Sequence, residues 1–106
     1  GLIRTQELLA ARKIDGGEQY FTRANDFGFS KNYTETFEIW NKEEILSDVV
    51  RVIREFKPDV ILTRFPPDER AGHGHHTGSA ILAQEAFDIS NDPTAFPEQV
   101  NQFGTW

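Results

Sequence analysis

Pro58-Asp59-Val60-Ile61-Leu62-Thr63 is followed at once by Arg64 to Ser79, RFPPDERAGHGHHTGS, and then by a helical pattern running on to Ile89. An unbroken apolar trio after a proline reads as a buried strand, because a parallel strand covered on both faces shows no polar alternation. Strand, loop and helix in that order form the repeating unit of an open α/β sheet. Ligands of such sheets bind outside the carboxyl ends of the strands, in loops of this kind. All 3 histidines of the chain, His73, His75 and His76, fall in this one loop.

Upstream of the strand lies the clearest helix, Lys42 to Phe56. Asn41 is a good N-cap, with Glu44 as its capping-box partner. Ile45, Leu46, Val49, Val50, Ile53 and Phe56 form one apolar stripe at helical spacing. Asp48, Arg51, Arg54 and Glu55 fall on the opposite, wet side, where Arg51 and Glu55 have the spacing of a weak surface pair. Downstream, Thr77 to Ser90 reads as a helix with Leu82, Ala83, Ala86 and Ile89 facing inward, ended by Asn91-Asp92-Pro93. Phe96-Pro97-Glu98 opens a further short helical turn.

At the other end, Leu8, Ala11 and Ile14 recur at a spacing of three, so Leu2 to Ile14 reads as a helix stopped by Asp15-Gly16-Gly17. Glu18 to Thr22 reads as a short strand. Asn25 to Asn32 reads as a loop. Its Asp26-Phe27-Gly28 has the letters of a kinase magnesium motif without the glycine-rich loop, strand lysine and catalytic loop that motif needs. Tyr33 to Trp40 is aromatic and β-branched and fits neither period, and the sequon Asn32-Tyr33-Thr34 is too short a pattern to carry weight. The succession of elements predicts a three-layer, Rossmann-like α/β fold: a mostly parallel sheet with helices on both faces.

With 106 residues the chain makes one small domain. Its net charge is −6, from 11 basic and 17 acidic residues, with no basic cluster. Nucleic acid is therefore not an expected partner, since phosphate backbones are bound by cationic patches. No apolar run approaches the roughly 20 residues of a transmembrane helix. The absence of cysteine excludes disulfides and thiolate metal sites. The absence of methionine makes Gly1 an unnatural start, so the chain is expected to be a piece of something longer.

Gly72-His73-Gly74-His75-His76 suits a site in two ways. Glycines let the backbone turn tightly and approach a ligand closely. Neutral imidazoles are donors for zinc and other borderline metals. His73 and His76 are three apart, so in a turn entering a helix they face one point. The bland alternative is a solvated surface loop, and three histidines within four residues behind a buried strand weigh against it. Asp68, Glu69 and Arg70 read as solvated loop charges.

At these residues the sequence resembles the PIG-L/LmbE-like deacetylases, whose second motif reads G-H-x-D-H between a strand and a helix. Arg4-Thr5-Gln6-Glu7-Leu8-Leu9-Ala10-Ala11 is similar to that family's R-x-x-E-L-x-x-A helix, and the likeness spans roughly Leu2 to Phe87. The resemblance implies that residues 1–106 are part of one such domain, with its sheet incomplete in this chain. It also implies a metal-dependent hydrolase, zinc being the expected divalent metal, that removes an N-acetyl or related N-acyl group from an N-acetylglucosamine-type substrate. By position His76 matches the metal-ligating histidine. His73 matches the catalytic histidine that steadies the transition state and helps the amine leave. His75 stands where the family has an orienting aspartate, a departure that removes a fixed negative charge. Arg4 matches an arginine that holds the sugar.

The family's first motif, H-P-D-D-E, carries two metal ligands and the general base, and it has no counterpart here. The expectation is that it lies upstream of Gly1, that the chain alone is inactive, and that the exposed sheet edge makes it self-associate. A non-catalytic α/β carbohydrate-binding or interaction module is the competing reading. Its basis is the 9 phenylalanines, 2 tryptophans and 2 tyrosines available for stacking on sugars.

Overall fold

A computed structural model describes residues 2–24 and 32–106, the side chain of Glu69 excepted. Among them the elements run α1 (Leu2–Asp15), α2 (Tyr33–Ile39), α3 (Lys42–Phe56), a 3-10 turn (Glu69–Ala71), α4 (Gly74–Ile89) and α5 (Pro97–Phe103). The Asp26-Phe27-Gly28 loop lies outside the described residues.

The core is a helical layer. α3 buries Ile45, Leu46, Val50 and Ile53 against Leu82 and Ala86 of α4, with Phe37, Trp40, Ile61, Ile89 and Phe96 packed around them. Each large aliphatic side chain so buried contributes about 1.5–3 kcal/mol. The start of α3 follows from its cap: the Asn41 side chain accepts the Glu44 amide at 3.2 Å. Asn32 caps α2 in the same way, accepting the Glu35 amide at 2.9 Å. α2 lies across the N-terminal part of α4, where Gly78 gives Phe37 room: a Cβ there would come within 3.2 Å of the Phe37 ring. α1 forms over the predicted residues and ends at Gly16, which takes the left-handed conformation at φ 76°. It buries none of its residues.

The expected three-layer, Rossmann-like α/β sheet is not what the chain forms: no strand occurs among the described residues. A strand exists only by pairing with a neighbour about 4.8 Å away. Val60-Ile61-Leu62 has no such neighbour, and its backbone makes no ladder. Only Ile61 packs on the core, while Val60 is 83% exposed and Leu62 92% exposed. The segment is therefore covered on one face and not on two. Glu18 to Thr22 likewise forms no strand.

Two residues assigned to the wet side of α3 are inside. Arg54 is fully buried. Its guanidinium donates to the carbonyls of Ser90 at 3.1 Å, Asp92 at 2.9 Å and Phe96 at 3.1 Å, and to Oε1 of Gln99 at 3.3 Å. It thereby ties α3 to the C-terminal end of α4 and the start of α5, where helix-end carbonyls need donors. Asp48, also buried, accepts the Arg23 amide at 2.8 Å and the Arg23 guanidinium at 2.8 Å. These bonds hold its carboxyl below the ordinary value of 3.8, against the opposing effect of burial. Phe56, assigned to the apolar stripe, is 51% exposed. The C-terminal residues dock: the Trp106 indole donates to the Pro58 carbonyl at 2.6 Å, and Lys57 Nζ to the Phe103 carbonyl at 3.0 Å.

Candidate histidine site

The loop that brings the chain from Arg64 to α4 is held by its own polar groups. Thr77, buried in the first turns of α4, donates its hydroxyl to the Asp68 carbonyl at 3.0 Å. Asp68 in turn accepts the Arg70 amide at 2.9 Å and its guanidinium at 2.8 Å. The guanidinium first, then the amide, hold the Asp68 carboxyl below its usual range. Arg70 is 79% exposed, so the pair is a solvated loop contact. Gly72, at φ 74°, makes the left-handed turn that delivers the chain into the helix. A side chain there meets no atom within 4 Å, so the constraint is one of backbone conformation alone.

His73 is the N-cap of α4, with extended backbone at φ −151° and ψ 137°. Its Nδ1 accepts the His75 amide at 3.1 Å. An N-cap side chain must offer an acceptor to the first free amides, and an imidazole does so only through an unprotonated nitrogen. In the neutral ring the other nitrogen, Nε2, then carries the proton and is a donor. The helix begins at Gly74 and not near Thr77 because this cap satisfies its first turn. The His75 backbone amide holds the His73 ring, and the His75 ring stacks on Trp40 at 5.0 Å.

His76 stacks face to face on Phe65, with ring centroids 3.9 Å apart. The His73 ring is 4.6 Å from that of His75 and 5.0 Å from that of His76. The structure thus brings the three imidazoles together between two aromatic walls. Beside His76 opens a cavity of about 330 Å³ lined by Leu62, Thr63, Arg64, Phe65, Ser79 and Ala80. That volume suits one sugar-sized ligand. Thr63, Arg64, Ser79 and His76 give it polar groups, and Leu62, Phe65 and Ala80 an apolar floor. Arg4 is not part of this cluster. It stands on the exposed face of α1, ion-paired with Glu7. Trp40, Phe65, Arg64 and Ser79 were not marked as site residues by the sequence. Phe65 and Arg64 lie inside the quoted loop and gave some signal, whereas Trp40 reaches the site only through the packing of α2 on α4.

A zinc site needs three protein ligands with nitrogens about 2.0–2.1 Å from the ion. Among the described residues no group of three or more His, Cys, Asp or Glu side chains converges in that way. The Nδ1 of His73 is moreover occupied as a helix cap. The described residues do not by themselves make a metal centre. No helix among them is long and apolar enough to cross a membrane.

Residues 1–87 match the family model PIG-L, described as GlcNAc-PI de-N-acetylase. No curated protein and no solved structure matches the chain.

Proposed function

We propose that this chain, which belongs to the PIG-L family of GlcNAc-PI de-N-acetylases, supplies the histidine half of a deacetylase site that hydrolyses the N-acetyl group of an N-acetylglucosamine-type substrate. The observation that carries this reading is the family match, which covers His73, His75, His76 and the cavity beside them. The reaction adds water to the amide carbonyl. The carbon–nitrogen bond breaks, the amine leaves with a proton, and acetate is released.

In the ring form that caps α4, His73 presents Nε2–H. That donor stabilises the oxyanion formed when water adds to the carbonyl, and it is oriented in advance by the cap bond. A neutral histidine at a helix N-terminus serving as electrophile has precedent in enzyme chemistry. The departing nitrogen takes a proton released by the attacking water, and Nε2 keeps its own, so the ring stays neutral throughout. Phe65 fixes the plane of His76 by stacking, and the cavity lined by Thr63, Arg64 and Ser79 receives the hydroxyls of the sugar. Arg4 is the proposed sugar-binding arginine from α1. We propose further that the reaction depends on a divalent metal, zinc in the first instance, to which His76 contributes one nitrogen. Because the described residues do not complete a metal centre, no step above runs through it.

The test is acetate release from N-acetylglucosamine conjugates by the intact protein, before and after treatment with a chelator. Release that chelation abolishes and zinc restores supports the whole reading. Release insensitive to chelation removes the metal and the role of His76. No release from any acetamide after metal reconstitution removes the deacetylase reading.

A further inference from the structure

Six of the 7 arginines of this chain already have acceptors. Arg4, Arg12, Arg23, Arg51 and Arg70 pair with carboxylates, and Arg54 bonds to backbone carbonyls. Arg64 is the exception. Among the described residues it makes no hydrogen bond and no ion pair, although the chain has 17 acidic residues to offer. Its guanidinium lies instead over the Phe65 ring, 5.7 Å from the centroid. Phe65 in turn stacks on His76 at 3.9 Å. The cation is thereby held close to His76, on the wall of the cavity where the sugar is proposed to sit.

Two features suit this cation to a ligand. The first is its surroundings. No carboxylate among the described residues lines the cavity. The closest acidic side chain along the described chain, Asp68, is engaged by Arg70. The second is its placement. Pro66 and Pro67 follow Phe65 directly. Each proline fixes its own φ, and Pro66 also restricts Phe65, so the backbone beneath the stack is stiff. The hydroxyls of a sugar are neutral and are matched by the Thr63 and Ser79 hydroxyls that share the cavity. A guanidinium offers more: its planar fork fits an oxyanion, and a hydrogen bond to a charged partner is roughly twice as strong as one between neutral groups.

We infer that Arg64 is a specificity-determining residue, which binds an oxyanion carried on the aglycone of the N-acetylglucosamine-type substrate. A phosphodiester and a carboxylate present the same chemistry to it. The inference rests on the reading of this cavity as the sugar site. A sugar seated beside His76 brings its next substituent to the wall where Arg64 stands, so an acidic conjugate is held at two points and a neutral one at one. Arg64 is exposed, and water and salt screen an exposed pair. The preference is therefore modest and falls as ionic strength rises.

Three probes test this by calorimetry on the intact protein: the methyl glycoside of N-acetylglucosamine, the methyl phosphodiester of N-acetylglucosamine 1-phosphate, and the N-acetylglucosamine glycoside of glycolic acid. At least one acidic probe should bind roughly tenfold more tightly than the neutral one at low salt. Which of the two does so identifies the oxyanion. Arg64→Gln should bring the ratio of affinities close to one, Arg64→Lys should keep part of it, and added salt should reduce it in the parent. Circular dichroism establishes that each variant folds. Equal affinity for all three probes, no binding of any of them, or a preference that survives Arg64→Gln overturns the inference. Acetate release is followed on the same probes. A preference that depends on Arg64 without acetate release would uphold the role of Arg64 and remove the deacetylase reading, so the two fail separately.

Discussion

Replacing Arg54 by methionine should be the most destabilising single change outside the apolar core. Methionine keeps the length and apolar stem of arginine and removes its charge and donors. The guanidinium makes four hydrogen bonds, between 2.9 and 3.3 Å, to three backbone carbonyls and to Gln99. A hydrogen bond to a charged group contributes about 1.5–3 kcal/mol net, and a buried acceptor left without a donor costs about 1–3 kcal/mol. These terms do not add in full. Removing the charge also returns its desolvation penalty, which is why replacing a complete buried ionic group is often mild. Here only one partner goes, and the carbonyls of Ser90, Asp92 and Phe96 stay behind.

The expected loss is therefore about 3–5 kcal/mol. A domain of this size holds about 5–15 kcal/mol in all. In urea, with a slope of about 1–1.5 kcal/mol per molar, the midpoint should fall by about 2–5 M. Arg54→Lys should fall between, since an ammonium keeps the charge but cannot fork to four oxygens. A methionine variant within 1 kcal/mol of the parent, at unchanged slope, would refute the claim that Arg54 joins α3, α4 and α5.

Gly72→Ala should cost about 1–2 kcal/mol by urea titration, because φ 74° is left-handed and the surroundings are otherwise open; no measurable loss would mean that the turn into α4 can be made otherwise. Asp48 has its folded pKa below 3.8. Its pairing with Arg23 thus contributes stability that is fully present above about pH 4 and is lost as pH falls through the lower folded value. Stability of the parent should decline through that acid window more steeply than that of Asp48→Asn. Arg4→Ala in the intact protein should raise KM and leave kcat near its original value, the mark of lost uniform binding. A fall in kcat at unchanged KM would remove Arg4 from sugar binding.

What the sequence made legible is what depends on residues close together in the chain. The span of α3 followed from its apolar spacing and from Asn41 with Glu44 three residues on. The end of α1 followed from Gly16. The same local grammar is present in Asn32 and Glu35, and it marks α2, but the aromatic and β-branched content of Tyr33 to Trp40 obscured it. The start of α4 was misplaced because a histidine is an unusual N-cap, and its Nδ1 does the work usually given to Asn or Ser.

The rest depends on residues far apart. Arg54 looked solvated because its four acceptors lie 36 to 45 positions away. Asp48 was misread for the same reason, its partner Arg23 being 25 positions distant. Whether Val60 to Leu62 is a strand is a question about a neighbour, which no local pattern answers. The histidine cluster was visible as composition, but its walls were not: Trp40 reaches His75 only through the packing of α2 on α4. That His73 is held by the His75 backbone, with the His75 ring turned to Trp40, is likewise a property of the folded turn.

The central claim is that the Nε2 of His73 acts on the transition state. His73→Asn separates that role from structure, because asparagine is itself a good N-cap and keeps the first turn of α4 satisfied. Deacetylation kinetics of this variant in the intact protein should show kcat reduced about 10²–10³-fold with KM nearly unchanged, the loss typical of one oxyanion donor. Its thermal melting and metal content should match those of the parent. A folded His73→Asn enzyme that retains the parent's kcat would contradict the account.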